Sequence, residues 1–221
     1  MAAPATKSYR GIRFAKLTVR WYASLANRNS HEYHEQARQV AERAPRGSEL
    51  LEVASGPGLL AILLAGTGDY TVTAVELSDD FVATARRAAA EAGAPVDFRQ
   101  ADASALPFPD ASFDFVACCN AIKNFAAPVS ALREMHRVLR PGGGAFVSDL
   151  RPDLSRRALN HEGKQMGMGP LARACSSAVL RYYAHRLSYS RSDLERMVAA
   201  SPFTLHNSWD SPLFVTVELR K

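Results

Sequence analysis

Apolar and polar positions change period several times along the chain. Phe14, Leu17, Trp21, Tyr22 and Leu25 recur at helical spacing over residues 11–27, and Tyr33, Ala37, Val40, Ala41 and Ala44 do so over 31–44. That spacing predicts two amphipathic helices. Ser30 stands where an N-cap would open the second, and Pro45-Arg46-Gly47 closes it. Short apolar runs then alternate with helical stretches. Glu49–Ala54, Thr71–Leu77, Val96–Gln100, Phe113–Cys118 and Ala145–Asp149 read as strands. Leu59–Ala65, a segment from Ser78 to Ala92, and Pro128–Leu139 read as the helices between them, with turns at Gly93-Ala94-Pro95 and Pro141-Gly142-Gly143. This alternation predicts a parallel sheet covered by helices on both faces. Residues 151–189 lose the strand rhythm and read as mainly helical, broken at Met166–Pro170. A short helix at Ser192–Ala200 follows, then Phe203–Trp209 and Leu213–Leu219, which suit a terminal hairpin. The expected organisation is a helical extension at 1–46 and one α/β domain at 47–221, with a helical cap inserted at about 151–189.

Composition adds limits to this outline. With 47% apolar and 22% charged residues the chain has an ordinary globular balance. No apolar run approaches the roughly 20 residues of a membrane span, and the first residues hold no apolar leader core, so a cytoplasmic protein is expected. Cys118, Cys119 and Cys175 have no metal-ligand spacing and read as reduced thiols; no metal is expected. The net charge of +5 is unevenly spread: Lys and Arg outnumber Asp and Glu nine to three over 1–46 and nine to four over 151–196, but trail seven to thirteen over 47–150. The basic flanks read either as solvated helix faces or as attraction for an anionic partner.

The chemistry concentrates after the first strand. In Glu52-Val-Ala-Ser-Gly-Pro-Gly58, a strand runs into a glycine turn that opens a helix. Gly56 and Gly58 are expected to let the backbone approach a ligand, and the helix start offers N–H groups. Glu76 ends the next strand about 20 residues on, where a nucleotide-binding unit holds its ribose. In an open parallel sheet the ligand lies past the carboxyl ends of the strands, which gathers Glu52, Ala54, Ser55, Glu76, Asp102, Cys119, Asn120, Lys123, Asn124, Asp149 and Arg151. Two cofactors suit this turn. Gly56-x-Gly58-x-x-Ala61 fits a relaxed dinucleotide fingerprint. S-adenosylmethionine, which carries an ammonium and a sulfonium and no phosphate, better tolerates the surrounding acids. For it, Asp102 suits the adenine amino group and Glu76 the ribose hydroxyls.

These segments resemble the class I S-adenosylmethionine-dependent methyltransferases, and within them the ubiquinone/menaquinone-methyltransferase-like branch that acts mostly on small molecules. Glu52–Gly58 is similar to the family's first motif and Val75–Ser78 to the second. Ala101-Asp102-Ala103, Leu106–Asp110 and Ser112–Val116 follow in register, as does Glu134–Gly143 before the fifth strand. The resemblance implies a Rossmann-like, seven-stranded, mostly parallel sheet of order 3-2-1-4-5-7-6 with strand 7 antiparallel, and N-terminal helices that lid the cofactor. It implies S-adenosylmethionine contacts at Tyr22, Tyr33, Glu52, Ala54, Ser55, Gly56, Gly58, Glu76, Leu77, Phe81, Asp102, Ala103, Cys119 and Asn120, with Cys119 acting through its backbone. Two departures stand out. Ala54 replaces the motif's first glycine, which is tolerable if that position does not need a positive φ. Lys123 and Asn124 replace a His pair of many relatives on the substrate side.

Methyl transfer needs in-line alignment and a dry site. Asp149, Lys123 and His34 are the candidate catalytic residues, with His31, His161 and His185 also in segments that could cover the pocket. Asn120, Lys123, Asn124, Phe125, Asp149, Arg151, Met166 and Tyr182 are the candidate substrate contacts. The expected substrate is a small metabolite, anionic or aromatic, methylated on O or N, or on C; a homodimer through the flanking helices is a further expectation. An RNA-modifying methyltransferase, an NAD(P)-dependent oxidoreductase and a non-catalytic cofactor-binding protein remain alternatives. The chain lacks an interleaved aromatic-basic stripe for nucleic acid.

Overall fold

The computed structural model describes residues 30–221. The helix expected over 11–27, and Tyr22 with it, lies outside them. Helix α1 (Ser30–Ala41) opens the described chain, so Ser30 is a helical residue and the cap position precedes the described region. There follow β1 (Glu49–Val53), α2 (Leu59–Gly66), β2 (Thr71–Glu76), α3 (Asp79–Ala92), β3 (Val96–Gln100), β4 (Phe113–Cys119), a 3-10 turn (Ile122–Asn124), α4 (Pro128–Val138), β5 (Leu139–Leu150), α5 (Arg156–Gln165), α6 (Pro170–Leu187), α7 (Arg191–Ala199), β6 (Thr204–Asp210) and β7 (Phe214–Arg220). The strands form one seven-stranded sheet of order β3-β2-β1-β4-β5-β7-β6. β1 pairs parallel with β2 and β4, while β7 runs antiparallel to both β5 and β6. Both the order and the sense of strand 7 match the sequence-based expectation.

The central strands are apolar on both faces because both are covered. Leu51, Val53, Cys118 and Val147 point to a layer completed by Ala131, Leu132 and Met135 of α4 and Leu194 and Val198 of α7. Leu50, Ala117, Cys119 and Phe146 point to the opposite layer, against Val40 of α1, Leu60 and Leu64 of α2 and Val82 and Ala85 of α3. Local signals set the helix limits. The Ser78 side chain accepts from the Phe81 N–H, and Gly93 ends α3 in the left-handed region at φ +64°. Ser190 and Asp193 form a reciprocal capping box on α7.

One expectation needs correction. The Arg140–Gly143 turn was expected to stand ahead of the fifth strand, yet it is embedded in it. Leu139 already pairs with Phe113, and the next partners are Phe115 and Gly144. The four residues between bulge out, held by the 2.6 Å Arg140–Asp114 ion pair. Gly142 takes φ +79° there. A Cβ on Gly143 would lie 2.9 Å from the carbonyl oxygens of Arg140 and Asp114. Glycine therefore lets the loop fold back onto β4.

Among the described residues no helix is long and apolar enough to cross a membrane, and no cluster of His, Cys, Asp or Glu suits a metal ion.

Candidate functional site

The ends of β1, β2 and β4 and the loop after β3 open into a cavity of about 500 Å³, roofed by α1, α5 and α6. Of the candidate residues, Tyr33, Ala54, Gly56, Glu76, Leu77, Phe81, Asp102, Ala103, Asn120, Lys123, Asn124, Phe125 and Met166 line it. The sheet collects them because the parallel strands end at one edge.

The turn after β1 is built by its carboxylate neighbour. Glu76 Oε2 accepts the Gly56 N–H and Oε1 accepts the Ser78 N–H, each at 3.0 Å. The Ser55 N–H donates to the Val75 carbonyl at 3.0 Å and the Gly58 N–H to Ser55 at 2.9 Å. Burial pushes the Glu76 carboxyl above its ordinary value, against the pull of the Ser78, Gly56 and Leu77 N–H groups. The turn thus spends its first N–H on the protein's own carboxylate.

The two motif glycines do different work. A Cβ at Gly56, where φ is +54°, would meet nothing within 4 Å and would stand in the open cavity. A Cβ at Gly58 would lie 2.6 Å from the Phe98 ring and 2.8 Å from the Ala85 methyl. Gly58 therefore serves helix–sheet packing, and its expected contact with the ligand is corrected. Ala54 lines the cavity at φ +61°, so the position does require the left-handed region. An alanine there costs about 1–2 kcal/mol. Ala54→Gly should relieve that strain at the loss of one partly buried methyl, about 0.8 kcal/mol at most. The expected result is a gain of about 0.5–1 kcal/mol, read as a raised urea midpoint with an unchanged m value.

Several other candidates lie off the cavity wall. Glu52 and Ser55 are buried beneath the turn, and Glu52 Oε2 and Ser55 Oγ have no hydrogen-bond partner. Cys119 is buried under α1; burial pushes its thiol, and that of Cys118, well above the usual range. Asp149 is fully buried. Its carboxylate receives the Lys123 ammonium at 2.5 Å, the Lys123 N–H at 2.9 Å and the Leu150 N–H at 2.7 Å. That makes Asp149 an anchor for the Ile122–Asn124 turn, with no atom on the cavity wall. Lys123 reaches the wall, but its ammonium is also given to the Asn120 carbonyl at 2.6 Å. His34 is exposed and away from the wall, one helical step from Tyr33. Arg151 pairs with Asp153 and donates to the Ser211 carbonyl. Tyr182 is 59% exposed, whereas Tyr183 lines the cavity with Val179, Leu180, Ala184 and Leu187. Helical phase decides between the two tyrosines, and the sparse apolar pattern of α6 did not reveal it. Glu32, Ser104, Leu159, Glu162 and Leu213 also line the cavity and were not singled out. Only Glu32 carried a signal, as an acid bordering the apolar stripe of α1.

The donor set suits a cationic nucleoside without phosphate. Among the described residues its carboxylates are Glu32, Glu76, Asp102 and Glu162, and the single lining lysine is already paired. Asp102 Oδ1 is held by the Ser104 N–H and hydroxyl at 2.8 and 2.7 Å. Buried Glu52 Oε2, Ser55 Oγ and Asn120 Oδ1 have no hydrogen-bond partner.

A sheet of this order, a glycine turn braced by the acid of the second strand and a phosphate-averse crevice define the class I S-adenosylmethionine-dependent methyltransferase fold, whose cofactor is S-adenosylmethionine. Residues 51–147 match the family described as methyltransferase domain. The chain is 40% identical over 112 residues to a demethylmenaquinone methyltransferase of Thermus thermophilus, covering 50% of each protein. It is 32% identical over 142 residues to a ubiquinone biosynthesis O-methyltransferase of Xanthomonas axonopodis pv. citri, covering 62% of this chain and 59% of that one. It spans about half the length of the named relatives it matches. In fold it is similar to a SAM-dependent methyltransferase from Aquifex aeolicus, with TM-score 0.72, 14% identity and coverage of 94% and 99%. The cyclase SpnF shares the fold as well, with TM-score 0.61, 21% identity and coverage of 85% and 80%, so the fold alone does not name the reaction.

Proposed function

We propose that the protein transfers a methyl group from S-adenosylmethionine to a small, uncharged and largely apolar acceptor. The observation that carries this reading is the Glu76 carboxylate closed onto the Gly56 N–H. A dinucleotide site leaves that N–H for a pyrophosphate and keeps acids away from it. Here the N–H is taken and Glu52 lies beneath. The family match and the relatives above support the same cofactor.

In this reading Glu76 holds the ribose hydroxyls, Asp102 the adenine amino group, and Leu77 and Phe81 pack beside the base. When bound, the cofactor supplies an electrophilic methyl on a sulfonium. The acceptor lies against Phe125, Leu159, Met166, Met168, Leu180 and Tyr183, which line the cap side. That wall supports the aromatic half of the sequence-based expectation. It gives no support to an anionic acceptor, because the one ammonium on the wall among the described residues belongs to Asp149 and Asn120. No histidine lines the cavity among the described residues, so rate enhancement rests on alignment and exclusion of water. The relatives above are named for demethylmenaquinone and for ubiquinone biosynthesis.

Calorimetry of the full chain tests this. S-adenosylmethionine and S-adenosylhomocysteine should bind in the micromolar range, about 8 kcal/mol, and NADH should give no heat. Binding of NADH with no heat from S-adenosylhomocysteine would establish the oxidoreductase alternative instead.

A further inference from the structure

The cap side of the cavity carries one acid that the reaction so far leaves unused. Leu159, Glu162 and Met166 all line the wall, and steps of three and four residues put them on one face of α5. Leu159 and Met166 suit the side chains around them, among them Met168, Leu180 and Tyr183. Glu162 does not. It is half-buried, and among the described residues its carboxylate forms no hydrogen bond or ion pair.

That isolation stands against the local sequence. Glu162 is the one acid between Asp153 and Asp193, in a stretch with seven Lys and Arg. Arg157 and Lys164 are exposed, and their spacing from Glu162 puts them on the far side of α5. Arg173 of α6 lies against the next residue, since a Cβ on Gly163 would come within 2.9 Å of Arg173 Cγ. Its guanidinium nevertheless goes to Asn160 Oδ1 at 2.9 Å and to the Met168 carbonyl at 2.6 Å. These contacts fix the rotation of α5 and keep Glu162 on the cavity side. The helix takes its cap from Ser155 and needs nothing from Glu162.

A carboxylate set against apolar side chains without a cation costs free energy. It can only accept, so the partner it lacks is a donor. We infer that Glu162 receives the O–H or N–H of the methyl acceptor, and that the substrate is an apolar molecule bearing a hydroxyl or amino group. In the transfer, the acceptor's O or N bonds to the methyl carbon. The C–S electron pair returns to sulfur and leaves neutral S-adenosylhomocysteine. The acceptor's proton passes to the Glu162 carboxylate and from there to solvent, which a half-buried side chain can reach. Alignment and exclusion of water thus gain a destination for the proton. The same charge turns away an acceptor that carries its own carboxylate.

This inference rests on the cofactor reading above, and its test separates the two. 4-Butylphenol, 4-butylaniline and the isosteric 4-butyltoluene are titrated calorimetrically into the full chain saturated with S-adenosylhomocysteine. The phenol and the aniline are also assayed as methyl acceptors with S-adenosylmethionine, and the one that turns over tells O from N. The wild type should bind the phenol or the aniline about tenfold more tightly than the toluene, since hydrogen bonds to a charged group are among the strong ones. Glu162→Gln should lower kcat about 100-fold, the scale of a lost proton acceptor, and leave affinity for S-adenosylhomocysteine within about twofold. Glu162→Leu should invert the preference in favour of 4-butyltoluene, and it decides the matter if Glu162→Gln does not fold. A Glu162→Gln kcat within about threefold of the wild type would overturn the inference. So would an equal loss of S-adenosylhomocysteine binding, or a wild type with no preference for the donor-bearing probes. A wild type that does not bind S-adenosylhomocysteine would overturn the cofactor reading itself.

Discussion

Replacing Lys123 by methionine should cost about 3–5 kcal/mol of folding stability, the range for removing one partner of a buried ion pair. Asp149 is completely buried and the Lys123 side chain is 14% exposed, at the cavity wall. Without the ammonium, the Asp149 carboxylate keeps the Lys123 and Leu150 N–H groups but loses its counter-charge. At this chain length the melting temperature should fall by about 6–20 °C. Lys123→Met/Asp149→Leu should recover most of the loss, because a hydrophobic pair of similar volume is often neutral or better in such a place. Thermal melts and urea titrations of the two variants decide it. A single variant within about 1 kcal/mol of the wild type would show that the pair is solvated and that Asp149 is no anchor.

The second large effect concerns Glu52 and pH. Burial raises its carboxyl from 4.5 to about 8; the Ala61 N–H opposes this and the charge of Glu76 adds to it. The folded protein therefore holds a proton that the unfolded chain releases above about pH 4.5. Stability from this group is complete below the unfolded value and falls as pH rises to about 8. Over that window the loss is on the order of 5 kcal/mol. Glu52→Gln should match the wild type near pH 5 and exceed it at pH 9 by several kcal/mol. Urea unfolding of the ligand-free protein at both pH values measures this. Parallel pH profiles for the two proteins would mean that Glu52 is paired or hydrated.

Some of the site could be read from the chain. The Glu52–Gly58 turn, the Glu76 acid one strand later and Asp102 after the third strand lie where the strand-end rule places them. All of this follows from local spacing, since parallel strands joined by short connections bring their ends to one edge. Other assignments failed for want of the third dimension. Gly58 looked like a ligand-facing glycine and instead leaves room for Phe98. Asp149 looked like a base and is sealed under Lys123. Tyr183, with Tyr182 its outward neighbour, takes the wall position because of the rotation of α6. Glu32 was passed over because its partner, Asn120, is 88 positions away.

The sequence by itself determined the parallel sheet, its strand order by resemblance, and the glycine turn with its acids. Those depend on periodicity, turn residues and neighbours along the chain. Only the tertiary structure decided which of the acids face the cavity, which are buried anchors, and that Ala54 sits in the left-handed region. It also decided that α1 brings the Glu32 carboxylate to Asn120. These are matters of burial and of pairing between distant segments. A side chain's charge, proton and direction depend on what packs against it, and the linear order of residues does not specify that.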